Sequence, residues 1–178
     1  MEYIISFFIG VIASLVALYI AIFCGRPRLQ ISQDIVCTTG GVAERYRIKL
    51  LNKSRVWNIY NVSIFEYYRF GPDNYYMAPI RTIPYLERHY FIPKRRPKTR
   101  GLSAILRKPV RMTTDSSKVQ TIEEFLNSDP SYCVEIVVIC STRSFGGTKR
   151  VFKQKYNLDS IKKNHRFIDT SVQTCKIE

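Results

Sequence analysis

Between Arg88 and Arg111 the chain reads RHYFIPKRRPKTRGLSAILRKPVR, nine Lys or Arg without one acid. The nine are Arg88, Lys94, Arg95, Arg96, Lys98, Arg100, Arg107, Lys108 and Arg111. The chemistry open to such a tract is anion binding. Arginine adds to charge a planar fork that grips phosphate oxygens in pairs. Two uses fit: a juxtamembrane patch resting on acidic headgroups, worth about 1 kcal/mol per residue near the surface, or a site for a phosphate-rich ligand. Pro93, Pro97, Gly101 and Pro109 exclude one continuous helix. Leu102–Leu106 is compatible with a single helical turn.

Just upstream, Phe65, Tyr67, Tyr68, Phe70, Tyr75, Tyr76, Tyr85, Tyr90 and Phe91 share a short stretch with Arg69, Arg81 and Arg88. Rings for bases and cations for phosphates are what single strands and nucleotides use. Rings at alternate strand positions also fill cores, so about a third of these are expected on a ligand surface. Catalytic spacings do not occur. His89 and His165 stand apart, and Gly146-Gly147-Thr148-Lys149 lacks the upstream glycine of a phosphate-binding loop. Glu123 and Glu124 read as acids at a helix N-terminus. The five cysteines (Cys24, Cys37, Cys133, Cys140, Cys175) form no CxxC pair, and Cys133 and Cys140 fall on opposite faces of one strand. No enzyme, metal or cofactor is expected.

The elements that must position these residues are mostly strands. Leu29–Val36 and Tyr46–Leu50 alternate, Val56–Tyr67 is a long β-rich run after Asn52-Lys53-Ser54, and Tyr132–Ser141 is β-branched enough for a central strand. The last runs through Ser144-Phe145-Gly146-Gly147 into Lys149–Tyr156 as a hairpin. Thr121-Ile-Glu-Glu124 is a capping box, and the helix it starts stops after about two turns at Asn127–Pro130. The expected fold is mainly β: a small antiparallel β-sandwich or open barrel over residues 26–178, with one short helix.

Residues 1–25 are of another kind. Tyr3–Cys24 is an apolar run of 22 residues without a charge. As a helix it reaches about 33 Å, enough to cross a hydrocarbon core of about 30 Å. The run is too long for a signal peptide and its N-terminus is not basic, so a retained single span is expected. Glu2 is the only charge before it, and Arg26 and Arg28 follow it at once. Positive flanks stay inside, which puts the N-terminus outside and the domain in the cytoplasm. Beyond the span, 28 Lys and Arg face 13 acids. Ser6, Gly10, Ala13, Ala17 and Ala21, with Ser14 beside them, place small residues on one helical face, where backbones can approach in lipid. A homo-oligomer, a tetramer by preference, is the expectation, with Ser6 and Ser14 facing an aqueous path.

The N-terminal span, β-rich tail and basic Lys94–Arg111 tract resemble the membrane effectors of bacterial anti-phage systems, closest in layout to the Hailong-type ion-channel effector. Phe145–Tyr156 and Asn164-His-Arg-Phe167 resemble in addition the cytoplasmic β-domain of inward-rectifier potassium channels. The second membrane helix and selectivity filter of those channels are not present in this sequence. The cyclic-nucleotide-responsive membrane β-barrel effectors usually carry two spans. The resemblance implies an oligomeric inner-membrane channel or membrane disruptor in antiviral defence. It would be regulated by a single-stranded DNA oligomer or nucleotide signal, with a nucleotidyltransferase as partner. The alternative is a tethered module that recruits a protein or nucleic acid to acidic membrane lipid.

Overall fold

A computed structural model of the chain describes residues 2–24, 26–40, 43–71, 73, 75–78, 91–97, 100–106, 121–143 and 149–177. The N-terminal helix α1 spans Glu2–Cys24. Its stretch Tyr3–Ile20 has a mean hydropathy of 2.4, and none of it is buried in the fold. A helix apolar all round cannot hide one face and wet the other. This one is long and apolar enough to cross a membrane.

The remainder is mainly β, curled into a half-barrel with one further short helix, as the strand patterns lead one to expect. Its strands are β1 (Leu29–Ile31), β2 (Ile35–Gly40), β3 (Ala43–Asn52), β4 (Ile59–Phe70), β5 (Tyr75–Ala78), β6 (Leu102–Ile105), β7 (Tyr132–Thr142), β8 (Lys149–Tyr156), β9 (Ile161–Lys163), β10 (His165–Phe167) and β11 (Thr174–Lys176). One sheet sets β1, β2 and β6 against β3, with β9 beside β2. A second runs β5-β4-β7-β8, and β10 and β11 form a ribbon. All pairs are antiparallel except β2 with β9.

Three local readings are corrected. The Leu29–Val36 alternation breaks at Ser32–Asp34, where the Ser32 hydroxyl accepts the Lys49 N–H (3.1 Å) and donates to the Asp34 carbonyl (2.9 Å). The long β4 run starts at Ile59 rather than Val56, because the Ser54 hydroxyl accepts the Val56 and Trp57 N–H groups and curls the chain. Leu102–Ile105 is a strand, not a helical turn, since the exposed edge of β3 offers it four registered partners.

The helix α2 (Ile122–Ser128) starts as expected: the Thr121 hydroxyl accepts the Glu124 N–H (3.1 Å), and the Glu124 carboxylate accepts the Thr121 N–H (2.8 Å). It buries Ile122, Phe125 and Leu126 against the core. That core holds Ile35, Ile48, Leu50, Ile59, Val134, Ile136 and Val138, with Tyr46, Tyr68 and Tyr156 fully enclosed. Each buried hydroxyl has an acceptor: Glu44 for Tyr46 (2.7 Å), Glu66 for Tyr68 (2.6 Å) and the Ser32 carbonyl for Tyr156 (2.7 Å). The last bond joins the two sheets.

Candidate functional site

The turn at 52–58 is built from short polar side chains. Asn52 accepts the Ser54 N–H through Oδ1 (2.8 Å) and donates through Nδ2 to the Trp57 carbonyl (2.8 Å). This turn then captures the start of the basic tract. Ile59 and Ile92 exchange backbone bonds (2.9 Å each), the Asn58 carboxamide accepts the Lys94 N–H (2.8 Å), and the Ser54 carbonyl accepts the Arg95 N–H (2.7 Å). The outcome is an open cleft of about 530 Å³ lined by Arg55, Arg95, Arg96, Pro97 and Thr170. All three arginines are exposed. They keep most of their hydration, so a phosphate can be met without a large desolvation cost.

The cleft stands where the chain leaves α1. The Lys53 N–H donates to the Arg28 carbonyl (2.6 Å), and an Arg150 guanidinium N–H reaches the Pro27 carbonyl (3.5 Å). Arg26, Arg28, Lys53 and Arg55 are all exposed around this junction. Cations from segments far apart in sequence thus gather beside the chain that follows the helix.

Of the nine basic residues in the tract, Arg95 and Arg96 share this cleft, and the backbone of Lys94 is fixed beside it. Arg100 lies in a neighbouring groove, 3.3 Å from the exposed Asp169 carboxylate. Arg88, Lys98, Arg107, Lys108 and Arg111 lie outside the described residues.

The aromatic run divides by strand face. On the outer side of β4 and β5, Phe65, Tyr67 and Arg69 stand with Tyr75, whose ring meets Tyr67 edge-on at 5.9 Å. Lys153 and Lys155 of β8 lie on the same side, paired with Val137 and Glu135. Arg69 is ion-paired to Glu135 at 2.6 Å. The pairing neutralises it, and the cationic character of this face rests on the β8 lysines. Tyr68 and Phe70 turn inward onto Phe125. Phe91 is exposed and packs on Tyr60. Tyr85, Tyr90, Arg81 and His89 are outside the described residues, as is the side chain of Tyr76.

On α1, the Ser14 hydroxyl donates to the Gly10 carbonyl (2.9 Å). This satisfies its proton within the helix and lowers the cost of a hydroxyl in lipid. A Cβ added at Gly10 meets nothing within 4 Å. Ser6, Ala13 and Ala17 are exposed like the rest of Tyr3–Ile20, and the Ala21 side chain is outside the described set.

Among the described residues no three His, Cys, Asp or Glu gather as a metal site. The His165 ring is engaged through Nδ1 with the Lys163 carbonyl (2.7 Å), and Glu123 pairs with Lys163 (2.7 Å), whose pKa that bond raises. Cys37, Cys133, Cys140 and Cys175 are free thiols.

Sequence reasoning missed Arg55, and treated Asn52-Lys53-Ser54 only as a separator between strands. The signal available was the pair Asn52 and Ser54 followed by Asn58, short side chains that bond to nearby backbone and build turns. The chain matches no known family of proteins and no curated protein.

Proposed function

We propose that this protein is a single-span, oligomeric membrane effector whose cytoplasmic domain is regulated by a phosphate-rich ligand, a short single strand or nucleotide. The anti-phage setting and a nucleotidyltransferase partner come from the resemblance in layout. The observation that carries the reading is the arginine cleft at the foot of α1. The Lys53–Arg28 backbone bond ties the turn that presents Arg55 to the chain entering the helix, so a ligand drawn among Arg55, Arg95 and Arg96 acts directly beside the span. One helix encloses no path, so conduction requires several copies meeting along Ser6, Gly10, Ala13, Ala17 and Ala21, with Ser6 and Ser14 toward the lumen.

The deciding experiment is ion flux from liposomes holding the full-length protein, with and without a short single-stranded DNA. Flux that the oligonucleotide switches in either direction supports the channel. Binding without flux in either state leaves the tethered module. One observation favours that second reading: the Ser14 hydroxyl is engaged within its own helix, and the one other polar side-chain group from Phe7 to Ile20 is the Tyr19 hydroxyl.

A further inference from the structure

The outward face of β3 carries Arg45, Arg47 and Lys49, which alternate with the enclosed Tyr46, Ile48 and Leu50. The β10–β11 ribbon lies across this face. Between them is a groove of about 350 Å³, lined by Arg47, Lys49, Arg100, Arg166, Phe167 and Asp169 among others. The chain approaches closely here: a Cβ at Gly101 would stand 2.5 Å from the Leu50 carbonyl oxygen and 3.0 Å from Lys49 Cε. Glycine alone lets Arg100 enter at this point.

The roles of the four cations differ. Lys49 is buried, and its ammonium donates to the Ile168 and Asp169 carbonyls, the latter at 2.8 Å. It fixes the turn that ends the ribbon. Arg47 is half-buried, and its Nε has no hydrogen-bond acceptor among the described residues. Arg100 and Arg166 are exposed, and Asp169, 3.3 Å from Arg100, is the one acid among the described residues of the lining. Four cations against one carboxylate, beside an aromatic ring, suit a ligand with a doubly charged head and a flat body. The volume is at the small end of ligand pockets, about 300–1,000 Å³.

We propose that this groove binds one nucleotide, its phosphate held by Arg47, Arg100 and Arg166 and its base against Phe167. The proposal rests on the reading above for the class of ligand, and needs neither the span nor its assembly. It is a second site, next to the arginine cleft: Asp169 lines the groove and the adjoining Thr170 lines the cleft.

The test is equilibrium dialysis of the full-length protein in lipid nanodiscs against adenosine monophosphate, adenosine and inorganic phosphate. The monophosphate should saturate one site per chain, with adenosine at least tenfold weaker. Arg166→Ala should weaken it at least tenfold, as for a lost charge-assisted bond, and this exposed residue is not needed for folding. Phe167→Ala should weaken it about tenfold and leave inorganic phosphate binding unchanged. The Arg95→Ala/Arg96→Ala double variant should bind the monophosphate normally. The proposal is overturned by no saturation at millimolar monophosphate, by binding no tighter than inorganic phosphate, or by indifference to Arg166→Ala. Strand binding lost in the double variant with monophosphate binding intact separates this site from the cleft. Loss of monophosphate binding alone strikes this proposal and leaves the cleft standing.

Discussion

Phe125 is the ring on which three others close. Tyr68 and Phe70 meet it edge-on and Tyr132 stacks on it, each with centroids 5.1 Å away. Phe125→Ala should therefore cost about 3–5 kcal/mol of stability, read by urea titration of the sheet signal. A loss below about 1 kcal/mol would mean that the cluster closes without it. Cys140, on the core face of β7, is a second residue set by its surroundings. Burial, outweighing the opposing charge of Arg150, pushes its thiol up to about 11. At pH 8 the folded protein should resist alkylation at Cys140, and mass spectrometry should find that site labelled only after denaturation. The residue scale is also where the sequence was hardest to read. Asn61 takes a left-handed conformation (φ 50°) and the β4–β7 register shifts between Tyr60 and Ser63. A slip of one residue turns every later side chain to the other face. The run from Val56 to Tyr67 gives no warning of it, and which rings would face outward was not legible.

Among the elements, α1 and α2 announced themselves most clearly, because an uncharged run of span length and a capping box are local signals. The short strands β9, β10 and β11 did not, since three-residue strands carry no period of their own. In α1 the space around Gly10 makes a clean test of assembly. A Cβ there meets nothing within 4 Å beyond its own stretch of helix backbone, so a loss of assembly in Gly10→Leu reads packing between copies. The variant should shift mass measurements in mild detergent from oligomer toward monomer. A wild-type monomer would end the packing argument. For the turn at 52–58 and the segment it holds, Arg95→Ala/Arg96→Ala should weaken binding of short single-stranded DNA. It should also flatten the salt dependence, by about 0.7 in log–log slope for each phosphate no longer neutralised. Unchanged binding would move the interface to the lysines of β8.

Across the whole molecule, three enclosed tyrosines govern the alkaline limit. Tyr46, Tyr68 and Tyr156 all have their hydroxyl pKa raised by burial, and Glu44 and Glu66 reinforce the effect at the first two. The folded state holds these protons more tightly than the unfolded chain, so their contribution to stability is full below about pH 10 and declines as pH rises beyond it. The tyrosinate absorbance of these three should appear only as the fold is lost. At this scale the basic character of the domain was plain from composition, whereas the grouping of Arg55 with Arg95, or Arg47 with Arg166, depends on strand pairings that no local pattern encodes. The turn after β10 gives those groupings a thermodynamic consequence. Asp169 borders one recess and Thr170 the other, and Lys49 clamps the backbone from beneath. Two occupants separated by a single peptide unit share a partition, and whatever displaces it for one displaces it for both. Linkage then demands symmetry: the factor by which a nucleotide changes strand affinity must equal the factor by which a strand changes nucleotide affinity.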